Sequence, residues 1–149
     1  MLNPDYSDML SALSEEGAEF LIVGAFALAA HGLPRATGDI DIWIGRSREN
    51  AERILRALVQ FGAPTHGLTA SDLEAPDVVF QIGVAPRRID ILTTIDGVTF
   101  DDAWLSRVMV SLEGLSVPVI SRTHLIQNKR ASGRPKDLAD LAWLDLSPP

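Results

Sequence analysis

The sequence predicts an α/β fold, a mixed twisted sheet with helices packed mainly on one face. Three observations support this prediction. The wholly apolar run Phe20–Val23 is followed by a glycine and by small helix-forming residues, as in a strand–turn–helix unit. Residues 39–44 have a period of two, with isoleucine at every second position, which is typical of a strand. Further β-rich runs then alternate with segments of helical period along the remaining chain.

Length and composition predict one domain over residues 1–149, which ends in a helical pair at about 121–145. The chain has 149 residues, of which 46% are hydrophobic, and we find no low-complexity linker or internal repeat in it. It has no cysteine and only three scattered histidines, which excludes disulfides and argues against zinc. Carboxylates binding hard cations are therefore the plausible metal chemistry.

The charge pattern restricts the partners and the location that we expect. A net charge of -7 disfavours broad attraction to nucleic acid but allows a local basic groove. The N-terminus has early acids, Asp5 and Asp8, and lacks the basic-then-apolar order of a secretory signal. No run reaches membrane-spanning length, so we expect a cytoplasmic protein without a membrane partner.

The first elements surround a glycine turn. Asn3 and Pro4 predict the start of a helix that ends before Gly17. After the strand Phe20–Val23, Gly24 predicts a sharp turn into a short helix over residues 25–30, which ends at Gly32. The first amides of a helix are unpaired and carry partial positive charge, so this turn is a candidate phosphate site. An ordinary structural connection has the same pattern.

The alternating strand over residues 39–44 presents two carboxylates on one face. Its isoleucines face the core, so Asp39 and Asp41 project together from the other face. At roughly 5 Å and an effective dielectric constant near 20, two carboxylates repel by about 3 kcal/mol. A divalent cation would relieve this repulsion, and Mg²⁺ prefers one or two carboxylates together with phosphate oxygens. The alternative is a solvated edge strand, where salt screens the repulsion.

The middle of the chain predicts a helix, a loop and a hairpin. Ser47 caps the helix and Gly62 ends it; its predicted buried stripe is Ala51, Ile54, Leu55, Leu58 and Val59. The loop over residues 62–77 contains one helical turn at 71–74 with a capping-box pattern. Residues 78–84 and 88–94 predict two strands joined by a turn at residues 85–87.

The second of these strands carries a third candidate carboxylate. Asp90 becomes part of the site if this strand lies beside the strand of Asp39 and Asp41. An aspartate on an apolar strand is costly to bury unpaired, which favours a bound cation or a basic partner. Arg88 is two residues away on the same face and is the structural alternative to a metal.

The last third of the chain predicts a short helix, a second hairpin and the helical pair. Thr99 caps the short helix through Trp104, and strands at 107–112 and 115–120 flank a Glu-Gly turn. Ser121 caps a helix to about residue 131, and a final helix begins at Pro135. Its predicted buried stripe is Leu138, Leu141, Ala142 and Leu144. Five of the thirteen basic residues lie between positions 122 and 136.

These motifs together resemble a known family. Gly24-Ala25, followed after thirteen residues by Asp39-Ile-Asp41, resembles the signature of the nucleotidyltransferase superfamily that includes DNA polymerase beta. More narrowly, VGAFALAAHGLPRATGDIDIWI and KRASGRPKDLADLAWL resemble small prokaryotic nucleotidyltransferases related to AbiEii-type toxins. The chain departs from the family pattern at Ala25, where relatives have glycine or serine.

The resemblance implies a Mg²⁺-dependent transfer of a nucleoside monophosphate from an NTP to an RNA, protein or small-molecule acceptor. Asp39, Asp41 and Asp90 would hold two ions, with Mn²⁺ as an alternative metal, and Asp90 would deprotonate the acceptor. The amides of Gly24 and Ala25 together with Lys129 would hold the triphosphate, and Asp137 would orient Lys129 or the substrate.

Structural alternatives exist for the last two residues of this set. Lys129 is a cation near a helix C-terminus, and Asp137 is an acid in a first helical turn, and both placements are favourable in any helix. A second function class also fits the resemblance: a toxin or antitoxin whose nucleotidyltransferase site is weak or inactive and whose purpose is to bind its cognate partner.

Overall fold

The computed structural model describes residues 2–33, 38–84 and 87–146, which form seven helices and six strands. The elements in chain order are α1 Pro4–Glu15, β1 Phe20–Val23, α2 Gly24–Ala30, β2 Ile40–Ile44, α3 Arg48–Phe61, α4 Ala70–Glu74, β3 Val79–Ile82, β4 Ile89–Leu92, α5 Phe100–Leu105, β5 Val108–Leu112, β6 Leu115–Val119, α6 Arg122–Ser132 and α7 Pro135–Leu146. The predicted mixed α/β fold is confirmed.

The described strands form one sheet in the order β3-β4-β2-β1-β6-β5. Both predicted hairpins are present, since β3 pairs antiparallel with β4 and β5 pairs antiparallel with β6. In the centre, β2 runs antiparallel to β1 and parallel to β4, while β1 runs parallel to β6. The C-terminal end of β1 therefore lies beside the N-terminal ends of β2 and β4.

The central strands are buried on both faces of the sheet. Ile42 and Trp43, neighbours in β2 that point to opposite faces, are 0% and 1% exposed. Phe100 of α5 packs edge-to-face on Trp43 with 5.1 Å between ring centroids. Burial of this kind is the main stabilising contribution to a domain of this size, and it fixes the strands that carry the candidate site.

The predicted helix ends are largely confirmed. The side chains of Asn3, Ser47, Thr99 and Ser121 each accept a hydrogen bond from an amide in the first turn of α1, α3, α5 and α6. Gly62 and Gly133 end α3 and α6 in the left-handed conformation, which glycine adopts without steric cost. Polar capping residues therefore located these helices correctly in the sequence.

The capping box of the loop helix lies two residues earlier than predicted. Thr69, not Ser71, caps α4, and its partner in the box is Asp72. The Glu74 carboxylate instead accepts a hydrogen bond from Arg48 at 2.8 Å. The segment contains two overlapping capping patterns, Thr69 with Asp72 and Ser71 with Glu74. The first forms the capping box, and Glu74 of the second pairs with Arg48 of α3 instead.

Two predicted helix stripes were partly wrong. Val59 is 70% exposed, and Ala57 takes the inward position of α3. In α7, Leu138 is 53% exposed and Ala142 is also exposed, whereas Asp137 and Asp140 are each only 3% exposed. The inward face of α7 therefore includes carboxylates, which a rule based on apolar residues misses.

Part of the predicted hairpin turn at residues 85–87 lies outside the described residues, namely Ala85 and Pro86. No helix in the described ranges is both long enough and apolar enough to cross a bilayer.

Candidate active site

Two of the predicted acids face each other across adjacent strands. Asp41 of β2 is the register partner of Asp90 of β4 in the parallel pairing. Asp39 immediately precedes β2, two residues before Asp41, so its side chain emerges on the same face. The expectation that the strand of Asp90 lies beside the strand of the paired carboxylates is therefore confirmed.

Arg88 connects two of the three carboxylates. Its Nε and Nη2 donate to the two oxygens of Asp90 at 2.7 and 3.1 Å, which is the bidentate geometry typical of arginine. Its Nη2 also lies 3.3 Å from Oδ2 of Asp39. The backbone N–H of Arg88 donates to Oδ1 of Asp39 at 2.9 Å. The site thus contains a basic partner of the kind that the sequence allowed.

Asp41 has an unusual protonation equilibrium. The pKa of the Asp41 carboxyl is raised to about 6, mainly by burial and also by the charge of Asp90 and a hydrogen bond with it. Asp39 adds to this effect, and Arg88 opposes it. A carboxyl with a raised pKa among other acids is a feature of functional sites, because a structural role rarely requires buried like charges.

Gly24 lies so close to the carboxylate of Asp41 that no side chain fits between them. The glycine has φ +68°, and a Cβ built there would lie 2.2 Å from Oδ2 of Asp41. Any side chain at this position would therefore be strained and would displace Asp41. Val23 gives α2 no side-chain cap, and the helix starts beside the carboxylates. The first residue of α2 and the carboxylate of Asp41 are consequently adjacent.

Tyr6 is a member of this site that the sequence did not predict as one. Its hydroxyl donates to the carbonyl of Gly38, and the carbonyl of Arg88 lies 3.4 Å away. Burial raises the pKa of Tyr6, and the charge of Asp39 raises it further. Helix α1 therefore ties the start of β2 to the start of β4. In the sequence, Tyr6 shows only the spacing of a buried helix residue.

The carboxylates of the site are ligands that suit a hard cation, but the three of them do not converge on one point. Asp41 and Asp90 supply oxygen ligands on adjacent strands, and Mg²⁺ needs only one or two carboxylates. Within residues 2–33, 38–84 and 87–146, no three acidic, histidine or cysteine side chains converge as a ready-made metal site. Asp39 and Asp90 are arranged around the guanidinium of Arg88 instead.

Lys129 and Asp137 contact each other, as one of the predicted roles of Asp137 requires. The Nζ of Lys129 donates to Asp137 at 3.1 Å and to Asp140 at 3.0 Å, and Lys129 is only 5% exposed. Asp137 also accepts hydrogen bonds from Ser132 and from Arg134. This geometry joins α6 to α7, while a triphosphate contact of Lys129 stays a prediction.

Comparison with known proteins identifies the family of this chain. Residues 3–145 match the model of a family described as nucleotidyl transferase of unknown function (DUF2204). The chain belongs to this family. No curated protein matches the sequence. The chain is similar in structure to a candidate nucleotidyltransferase (TM1012) from Thermotoga maritima, with a TM-score of 0.66 and 19% sequence identity. That match covers 99% of this chain and 97% of the other, and at this identity it shows a shared fold.

Proposed function

We propose that this nucleotidyl transferase family member moves a nucleoside monophosphate from an NTP to the hydroxyl group of an acceptor in a Mg²⁺-dependent reaction. The observation that carries the proposal is the position of Gly24. This glycine, the first residue of α2, lies directly against the carboxylate of Asp41, which in turn faces Asp90. A helix N-terminus, which is a favourable position for phosphate, and a pair of carboxylates of the kind that Mg²⁺ prefers are thus adjacent, and this supports the proposal.

Asp39, Asp41 and Asp90 would hold two Mg²⁺ or Mn²⁺ ions, which when bound activate the attacking oxygen and stabilise the leaving one. In the reaction, the acceptor oxygen forms a bond to the α-phosphorus while the bond to the α–β bridging oxygen breaks, and pyrophosphate leaves. Asp90 takes the hydroxyl proton. The amides of Gly24 and Ala25 hold phosphate oxygens during this transfer.

The acceptor class and the biological setting are narrower parts of this proposal. An RNA acceptor stays a prediction. Three of the five basic residues between 122 and 136 that suggested it are paired with acids: Lys129 with Asp137 and Asp140, Arg130 with Asp145, and Arg134 with Asp137. The relation to the DNA polymerase beta superfamily and to AbiEii-type toxin–antitoxin systems rests on the motifs quoted above. A cognate toxin or antitoxin partner stays a prediction that co-purification would test.

Nucleotide binding is the most direct test. With Mg²⁺ present, at least one of the four NTPs should raise the melting temperature, because ligand at 100 times its dissociation constant adds about 2.7 kcal/mol. Asp41→Asn should abolish this stabilisation, and Asp8→Asn, which removes an exposed acid of α1, should retain it. A wild-type protein that responds to none of the four NTPs would contradict an active enzyme.

The acceptor is tested by following an α-labelled NTP. The proposal expects label on RNA or on a partner protein, together with release of pyrophosphate. Label recovered only as free nucleoside monophosphate would identify water as the acceptor and contradict transfer to a macromolecule. An Asp41→Asn protein that still responds to Mg²⁺-NTP would remove Asp41 from the metal ligands.

A further inference from the structure

The side chain and backbone of Arg88 engage every carboxylate oxygen of Asp39 and Asp90. Nε and Nη2 take the two oxygens of Asp90 at 2.7 and 3.1 Å. Nη2 also approaches Oδ2 of Asp39 at 3.3 Å, and the amide N–H takes Oδ1 of Asp39 at 2.9 Å. Arg88 therefore contacts two of the three acids of the candidate metal site.

The guanidinium has the position and the charge of a competitor for a divalent ion. Mg²⁺ binds carboxylate oxygens at about 2.0–2.1 Å, so an ion between Asp39 and Asp90 would occupy the space that the guanidinium nitrogens now fill. Two cations that share these oxygens would also repel strongly at a partly buried position. The side chains of Arg88 and Asp39 are each 29% exposed, and that of Asp90 is 10% exposed.

We propose that Arg88 is a resident counter-cation of the site, which must release Asp39 and Asp90 before a divalent ion binds there. This inference rests on the proposed function, because it takes these acids as metal ligands. It adds that Arg88 sets the metal affinity of the resting protein. A guanidinium is never deprotonated in the working pH range, so release requires movement of the side chain. Movement of the side chain removes its contacts with Asp39 and Asp90, while the hydrogen bond from the Arg88 backbone N–H to Asp39 is retained.

An opposite role for Arg88 predicts the opposite result. A carboxylate has about four lone-pair positions, so a metal could use those that Arg88 leaves open. In that case Arg88 would orient Asp90 for the metal, and its removal would weaken binding. The sign of the change in metal affinity therefore distinguishes a competitor from a supporting residue.

The test is titration of the nucleotide-free protein with Mn²⁺, measured by calorimetry. Arg88→Gln should lower the dissociation constant for Mn²⁺ at least tenfold, which corresponds to about 1.4 kcal/mol. Arg87→Gln is the matched control, since it removes the same charge from the adjacent, exposed residue. Its dissociation constant should stay within about threefold of the wild-type value, because an exposed charge is screened.

Each outcome bears on a different claim. If Arg88→Gln binds Mn²⁺ equally or more weakly than a wild type that does bind, the displacement idea is overturned and the proposed function stands. If no variant binds Mn²⁺, alone or with an NTP, the proposed function fails as well. Should Arg88→Gln not fold, Arg88→Lys decides, because an ammonium cannot form the bidentate fork. It should bind at least threefold more tightly than wild type, and no gain would overturn the inference.

Discussion

At the scale of single residues, Asp41 is an acid whose ionised form is disfavoured by burial and by neighbouring acids. It lies between the turn at Gly24 and the carboxylate of Asp90, and burial raises its pKa to about 6. In the unfolded chain the same group ionises near pH 3.8. The folded state therefore binds a proton more tightly than the unfolded state does, and ionisation of Asp41 at neutral pH destabilises the fold.

The sign of this linkage gives a test of Asp41. Below about pH 4 the group is protonated in both states and has no effect, and above about pH 6 it is ionised in both states. Between these values the folded state loses up to about 3 kcal/mol relative to the unfolded state. The amide that replaces the carboxyl in Asp41→Asn does not ionise. The free energy of unfolding of this variant, minus that of wild type, should therefore rise by about 2 to 3 kcal/mol from pH 4 to pH 8.

Urea unfolding followed by tryptophan fluorescence measures this difference without metal or nucleotide. Subtracting the wild-type curve removes the contributions of the other titrating groups, provided that the substitution leaves them unchanged. A difference that stays flat between pH 4 and pH 8 would show that the Asp41 carboxyl titrates normally in the folded protein.

Residue patterns in the sequence predicted the acids but not their immediate neighbours. Period-two alternation placed Asp39 and Asp41 on one face because strand geometry is local. Tyr6 entered the site through a hydrogen bond to Gly38, 32 residues away in the chain, and no local pattern encodes such a contact. The spacing of two residues correctly predicted that Arg88 contacts Asp90. Its contact with Asp39 depends on the pairing of two strands, which the spacing does not encode.

At the scale of elements, α6 and α7 are joined by a buried charge cluster. Lys129 lies between Asp137 and Asp140, and all three residues are at most 5% exposed. Burial opposes ionisation of Asp137, but hydrogen bonds from Ser132, Arg134 and Lys129 outweigh it and lower the pKa to about 2. The ionised cluster therefore stabilises the helical pair at neutral pH.

We predict that Asp137→Asn destabilises the protein by about 2 to 4 kcal/mol at pH 7, because it leaves a buried ammonium with one carboxylate fewer. Asp145→Asn on the same helix is the control: its pair with Arg130 is exposed and should contribute less than about 1 kcal/mol. The folded-state pKa of Asp137 is depressed, so its contribution is complete above about pH 4 and is lost as pH falls through about 2. Urea unfolding of the three proteins measures both effects.

The same variant also tests the nucleotide role predicted for Lys129 and Asp137. If the cluster is structural, Asp137→Asn should retain the wild-type gain in stability from Mg²⁺-NTP although its baseline is lower. Loss of that gain, with the baseline unchanged, would favour a direct contact between this cluster and the triphosphate.

The sequence predicted helix ends better than helix faces, for a physical reason. A cap such as Ser47 or Gly62 depends on interactions within one turn, so the residue type alone is informative. The inward face depends on what covers it. Val59 is 70% exposed although it is apolar. Asp137 is buried although it is charged, because Lys129 and Arg134 donate hydrogen bonds to its carboxylate. Apolar periodicity therefore failed where ion pairs replaced hydrophobic contacts.

At the scale of the whole molecule, the architecture follows from few sequence constraints. The Thermotoga maritima protein has the same fold with only 19% identity, so most positions tolerate substitution while the arrangement persists. The chain order of strands, helices and turns could be predicted because each element has a local signature. The strand order could not, because the Asp41–Asp90 register joins residues that are distant in the chain. Only the resemblance to a family supplied that pairing in advance.

The central position of β2 has a consequence for amide hydrogen exchange. Asp41 lies on a strand flanked by β1 and β4, and the candidate site therefore has hydrogen-bonded backbone on both sides. Amides of such a strand exchange only when the whole domain unfolds, whereas β3 and β5 at the two edges can open locally. We expect the Ile42 amide to exchange at the rate set by global stability and the β5 amides to exchange faster. Exchange of the β2 amides by a local opening would show that the acids can separate while the remainder of the protein stays folded.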